Sequence, residues 1–353
     1  MVVPAGLRPR IAVLGAGVTG ASFVDACLAR LGGGAAAEVH VFEMGRGAGG
    51  RCSTRMGVRH GTPAFAVSSR KDGGGDRGDG GEGDEFAQTV RDYEARGLVH
   101  RWQDAALGVV DAGVLREQGT AAAAVVPGGG SGDAFALYRV GSNMCEELLQ
   151  HASTHFGACV HRIARETLDP KQRDSKKRWF LYGSEDEAMG HDAGFDWIVV
   201  TSLVSANQER WHATFGGTPP LRDLHDVLRN STNVNDGSPS ELSPGIDLSD
   251  VTFADCSLAR DVLDGMNETH VRPVLTSINM FDASSVVGQA LAADYPFDLT
   301  HVNADPVLKK IVKEEIDDGE TIAIVAHSTE TFAEKVGPLR TSHSSVSKLS
   351  AFG

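Results

Sequence analysis

Paired cysteines are missing from this chain. Its five cysteines, Cys27, Cys52, Cys145, Cys159 and Cys256, include no CxxC and no Cys/His ligand spacing, so neither a disulfide framework nor a zinc site is expected. They read as the reduced thiols of an intracellular protein. Long apolar runs are missing too: none approaches the ~20 residues that span a bilayer, which predicts a soluble, cytoplasmic chain with no membrane partner. Residues 11–17 resemble a signal-peptide core, but cleavage there destroys a glycine motif that overlaps them. Basic residues are in deficit, 33 Lys and Arg against 47 Asp and Glu, for a formal charge of -14. A nucleic-acid-binding surface is therefore not expected, and any phosphate recognition has to be local. No GxSxG, Walker A or paired-carboxylate constellation supports hydrolysis or phosphoryl transfer. The thirteen histidines form no HExxH, so no metal site is expected.

At 353 residues the chain is longer than one usual domain, and no solenoid period repeats along it. Four stretches have little core-forming pattern: 71–84, glycine and charge; 119–133, Ala- and Gly-rich; 232–244, rich in Asn, Ser, Gly and Pro; and the Ser-rich tail 337–353. Between them the patterning predicts a strand over 10–14, a helix over 21–31 and an alternating strand over 38–43. Further on it predicts a strand over 136–140, a helix over 143–156, strands near 179–182, 195–201 and 273–281, and a last strand over 322–327. Asp305 and Pro306 look like an N-cap and first helical residue, predicting a helix to about Ile316.

The chemistry concentrates near the start. Gly15-Ala16-Gly17-Val18-Thr19-Gly20 is a GxGxxG that follows the first strand and precedes the helix. In that setting the first glycine permits a tight turn, the second lets a pyrophosphate approach the backbone, and the third lets helix and strand pack closely. The helix N-terminus favours the phosphates. Glu43 closes the next strand, where a carboxylate accepts hydrogen bonds from both ribose hydroxyls and disfavours a 2′-phosphate. A plain nicotinamide dehydrogenase needs these parts and no more. Here Arg46 and then Gly49-Gly50-Arg51, followed by Ser53-Thr54, add a second glycine-rich, basic loop.

This E-x5-GGR arrangement resembles the flavin-binding signature of the amine oxidase superfamily, and within it the chain is most similar to renalase and the renalase-like flavoproteins. The carriers are GAGVTG at 15–20 and RGAGGRCSTR at 46–55, with weaker echoes in His60-Gly61-Thr62-Pro63-Ala64-Phe65, Tyr138-Arg139-Val140-Gly141, Val302-Asn303 with Pro306, and Ala326-His327-Ser328. The resemblance implies an α/β chain with a Rossmann-like FAD-binding domain, 8–70 and 137–205, and an inserted α+β substrate domain, 85–136 and 206–336. FAD is the implied cofactor, held by Gly15, Ala16, Gly17, Thr19, Gly20, Glu43, Arg46, Gly49, Gly50 and Arg51. By the same resemblance His60, Ala64 and Phe65 pass near the flavin, and Val160, in a strand after the 143–156 helix, offers main chain to the adenine.

The implied reaction is hydride transfer from a small dihydronicotinamide or amine substrate to flavin N5, with dioxygen as acceptor and no side chain assigned as catalyst. Two departures qualify it. The family's flavin-facing Gln is Pro63 here, and no Gly-Asp segment with a following helix comes after His327. The alternative is thus a truncated or non-catalytic remnant that keeps nucleotide binding. An ordinary loop role for His60, a plain thiol at Cys52, and packing or cavity-lining roles for Trp102 and Trp211 all stay open, as does oligomeric state.

Overall fold

The computed structural model describes residues 8–62, 64–68, 82–120, 135–167, 177–190, 193–232, 253–268 and 272–336. The fold is α/β, and the chain divides into two compact units. The first comprises Met1–Ser53 and Asn143–His270; the second comprises Thr54–Ser142 and Val271–Gly353. The second thus begins inside the first, as an insertion. By contacts, the described residues of 54–68 group with the second unit and those of 206–268 with the first. No helix among the described residues is long and apolar enough to cross a membrane.

The first unit is built on a Rossmann-like four-stranded parallel sheet. Its strand order is Ser153–Phe156, Glu38–Glu43, Arg10–Leu14, Trp197–Val200. Ile11 to Leu14 are all buried, as a parallel strand covered on both faces requires. The strand feeds the helix Val18–Leu31, which buries Gly20, Ala21, Val24 and Leu28 along one stripe. Gly32 ends that helix in the left-handed region at φ 90, and Gly33 N–H donates back to the Leu28 carbonyl at 2.7 Å. Beside the sheet, the antiparallel strands Arg162–Thr167, Lys177–Tyr182 and Ala188–Met189 close over a core of Leu14, Phe42, Val160, Ile163, Leu181 and Phe195.

The expected helix over 143–156 is corrected. The helix is only Met144–Leu148, and Ser153–Phe156 is a strand lying parallel to Glu38–Glu43. Its side chains explain the choice: His155 stacks on Phe42 at 4.7 Å and meets His40 through a 3.1 Å ring-nitrogen contact. Those contacts require an extended chain on the sheet edge.

The second unit carries a six-stranded sheet in the order Thr276–Asp282, Thr321–Ser328, Leu308–Ile316, Leu299–Val302, Ala106–Asp111, Val114–Thr120. Only the Leu299–Val302 pairing with Ala106–Asp111 is parallel. A second sheet pairs Ala64–Ser68, Phe135–Val140 and Val99–Arg101. The core contains Val58, Ala105, Leu107, Leu299, Val312 and Val325. Buried among these strands, Glu314 is 1% exposed and accepts from Arg59 N–H at 3.1 Å, Arg59 Nη1 at 3.2 Å and Arg139 Nη2 at 3.5 Å.

The expected helix from Asp305 to Ile316 is also corrected: Leu308–Ile316 is a strand paired on both sides. Asp305 Oδ1 accepts from the amides of Val307 (2.7 Å) and Leu308 (2.8 Å), so its capping chemistry makes a turn into the strand. Of the low-complexity stretches, 82–84 open the helix Glu82–Ala95, Gly119 and Thr120 end a strand, and Thr232 ends the helix Pro220–Thr232. The remainder of those four stretches lies outside the described residues, as does Pro63.

Candidate functional site

After Leu14 the chain turns at Gly15, with φ +109, and Gly15 N–H donates to the Phe42 carbonyl at 2.8 Å. From the other side Thr201 donates its hydroxyl to the carbonyls of Leu14 (3.0 Å) and Gly15 (3.2 Å). Gly20 seals the turn: a Cβ there would sit 2.0 Å from the Gly15 carbonyl oxygen, so only hydrogen fits. Gly17 differs. It has φ -73, which any residue adopts, and a Cβ there would meet nothing within 4 Å. Protein packing does not require glycine at 17; the missing side chain leaves open space at the start of the helix.

That helix start has no side-chain cap and no acid in its first turn. Thr19 is exposed within that turn, and Ala16 is buried beneath it. The first amides of a helix have no intrahelical acceptor, and together with the helix dipole they favour an anion. A bare glycine N-cap beside empty space is therefore an anion-binding geometry.

Two further pieces close around the turn. Glu43 bends back, its Oε2 accepting from Ala16 N–H at 2.8 Å and its Oε1 from Gly45 N–H at 2.7 Å. The carboxylate expected to accept from ribose hydroxyls is thus also anchored by main chain on both oxygens, each of which keeps further acceptor capacity. The second glycine loop docks directly on the first: Gly49 N–H donates to the Ala16 carbonyl at 2.8 Å, and Gly17 and Gly49 form a parallel bridge. Gly49 takes φ +107, and a Cβ on it would strike Ser53 Cα at 2.8 Å. Gly50–Cys52 then makes one tight turn, held by Ser53 Oγ–H donating to the Gly50 carbonyl at 2.7 Å. Arg46 and Arg51 are exposed on this loop.

A shallow recess, open to solvent, lies beside this turn, with Gly15, Glu43, Met44, Cys159, Val160 and Trp211 in its lining. Val160 is not in a strand, as expected, but in the connection before Arg162–Thr167. That connection is tied down by Gly157 N–H to the Gly45 carbonyl (2.8 Å) and Ala158 N–H to the Glu43 carbonyl (2.9 Å). Val160 is buried, and its own N–H and C=O take no partner among the described residues. Burial, with the Glu43 carboxylate beside it, pushes the Cys159 thiol up to about 11, and burial pushes Cys145 up to about 12, so neither is a reactive thiolate at neutral pH. Cys52 is likewise raised by burial, against the pull of Arg51.

The structure therefore brings Gly15, Ala16, Gly17, Thr19, Gly20, Glu43, Arg46, Gly49, Gly50, Arg51 and Val160 into one unit. His60, Ala64 and Phe65 belong to the second. There Ala64 pairs with Arg139, and Phe65 pairs with Tyr138, their rings stacked at 5.8 Å. His60 Nδ1 is buried without a partner among the described residues. Trp102 carries the Arg139 guanidinium 4.2 Å over its ring, while Trp211, 2% exposed, packs on His161 and Phe215. Sequence reasoning missed Thr201 and Cys159, whose roles depend on pairings far along the chain. No group of three or more His, Cys, Asp or Glu among the described residues is placed to hold a metal ion.

No protein-family model matches the chain. No curated protein matches it either. Among solved structures it is similar to FqzB (11% identity, TM-score 0.41, 93% of this chain and 54% of that one). It is also similar to a salicylate hydroxylase substrate complex (13%, 0.40, 92% and 57%) and to a cofactor-binding redesign of putrescine oxidase (8%, 0.49, 96% and 79%). The chain thus spans little more than half the length of the first two. With every score below 0.5, what the site can do is decided by its own geometry.

Proposed function

We propose that this chain is an FAD-dependent oxidoreductase whose first unit holds the adenosine and diphosphate of the cofactor. The observation that carries this reading is the docking of the Gly49–Gly50–Arg51 loop onto the Gly15–Gly17 turn, through the Gly49 N–H to Ala16 carbonyl bond. A nicotinamide site uses the turn and the acid but gives that second loop no role.

The residues present fit the group. The uncapped amides at Val18 and Thr19, beside the space left by Gly17, suit a diphosphate, and Arg46 and Arg51 add charge from the exposed loop. Glu43 keeps acceptor capacity for ribose hydroxyls, and the unpartnered main chain of Val160 offers the adenine one donor and one acceptor. Bound FAD supplies hydride acceptance at flavin N5 and return of the electrons to dioxygen. The renalase resemblance supports a small amine or dihydronicotinamide as donor, and no side chain is assigned as an acid or base.

The test is the visible spectrum of the purified protein, with FAD titrated into any colourless fraction. A flavin band near ~450 nm that bleaches anaerobically with a dihydronicotinamide or amine is the expected result. Glu43→Gln weakens FAD uptake on the order of ten-fold, because a neutral acceptor replaces a charged one. Protein that binds FAD but never bleaches is the non-catalytic remnant, and protein that takes up NAD but not FAD is a nicotinamide binder.

A further inference from the structure

The six-stranded sheet of the second unit places His301, Lys310 and His327 side by side. His301 is directly opposite Lys310 in one antiparallel pair, and Lys310 is directly opposite His327 in the next. Directly opposed residues project from the same face with their Cβ atoms roughly 5 Å apart. The same face carries Val312 and Val325 one register step further in, so the row borders the apolar core. His327 is 7% exposed and its Nε2 is buried with no partner among the described residues; the buried Nδ1 of His60, whose charge acts on His327, is in the same condition.

Such a row opposes good packing. Buried polar nitrogens are ordinarily paired, and an ammonium flanked by two imidazoles disfavours protonation of both. Among the described residues no carboxylate acts on His301, Lys310 or His327. The groups that act on His327 are Lys310 and His60, those on His301 are Lys310 and Lys309, and that on Lys310 is Lys309. The nearby acids are committed elsewhere: Glu330 pairs with Lys309 and Arg272, and Glu314 with Arg59 and Arg139. Burial first, and neighbouring cationic groups second, hold His301, His327 and Lys310 all below their usual values, His327 at about 4. Lys310 flanked by two imidazoles, with His327 Nε2 buried and unpartnered among the described residues, is a place where negative charge is stabilising.

We propose that His301, Lys310 and His327 form an oxyanion-binding site, taking a carboxylate or phosphate group of a small ligand. Lys310 provides the fixed charge, and the two imidazoles donate from either side once the anion stabilises their protonated forms. The site stands apart from the nucleotide reading, so a protein that binds no flavin leaves it intact.

The test follows the imidazole titrations of the full chain, ¹⁵N-labelled at histidine, at constant ionic strength. Inorganic phosphate and benzoate are the two probes, and chloride is the control. The expected result is that at least one probe raises the His327 and His301 midpoints by about one pH unit, as a nearby opposite charge does. Phosphate alone acting marks a phosphate ligand, and benzoate alone a carboxylate. Lys310→Met abolishes the shift, whereas Lys309→Met, whose ammonium already has Glu330, keeps it. Midpoints that answer both probes no more than chloride overturn the proposal, as does a Lys310→Met protein that responds like the wild type.

Discussion

Glu43 in the first unit and Glu314 in the second both fasten main chain in place, and they do so by different physics. Glu314 is 1% exposed and is neutralised by two guanidinium groups and one amide. Its acceptor capacity is largely used, and it is a structural rivet. Glu43 has no cation among its hydrogen-bond partners; it is set by two main-chain amides and stays partly exposed beside a recess. The role of an acid follows from its partners and its access: a saturated carboxylate stabilises the fold, and an anchored but unsaturated one is available to a ligand.

The largest way to break that contrast is in the second unit. Glu314→Leu leaves the Arg59 and Arg139 guanidinium groups without their shared counter-charge, with an expected loss of about 3 kcal/mol read from urea unfolding. Next comes the packing of the first unit. Gly20→Ala drives a methyl into the Gly15 carbonyl, so about 2 kcal/mol should be lost. Gly17→Ala, with open space at its Cβ, should leave stability within about 0.5 kcal/mol while obstructing the diphosphate, an effect visible only in FAD titration.

The remaining effect is protonic. His327 has a native value of about 4 against its usual 6.5, so between these values the unfolded chain binds more protons than the native one. Stability from this group is full above about pH 7 and declines as pH falls through 6.5 toward 4. Comparing urea unfolding of the wild type with His327→Phe at pH 7 and pH 5 isolates it: the wild type should lose up to about 2 kcal/mol more than the variant.

What the sequence disclosed was local. The strand 10–14, the helix after it and the strand 38–43 were legible because each pattern is complete within a few residues. The same holds for the glycine turn and Glu43. Leu308–Ile316 misled because Leu308, Ile311, Val312 and Ile316 recur at helical spacing behind an apparent cap, yet strands on both sides claim its backbone groups. Thr201 was unreadable as a clamp for a related reason: nothing near it in sequence announces that its strand will lie against Arg10–Leu14. The His301–Lys310–His327 row likewise exists only once two strand registers are known.

That pairing of Trp197–Val200 with Arg10–Leu14 also sets a timetable. Arg10 N–H and the Asp196 carboxylate that receives it are 186 positions apart, and the whole first part of the second unit is translated between them. At ribosomal speeds of about 5–20 residues per second, the central strand waits roughly 10–40 s for its neighbour. During synthesis the glycine turn thus precedes its Thr201 clamp, and the nascent strand, buried in the finished protein, spends that interval with an open edge that a chaperone or another chain can reach.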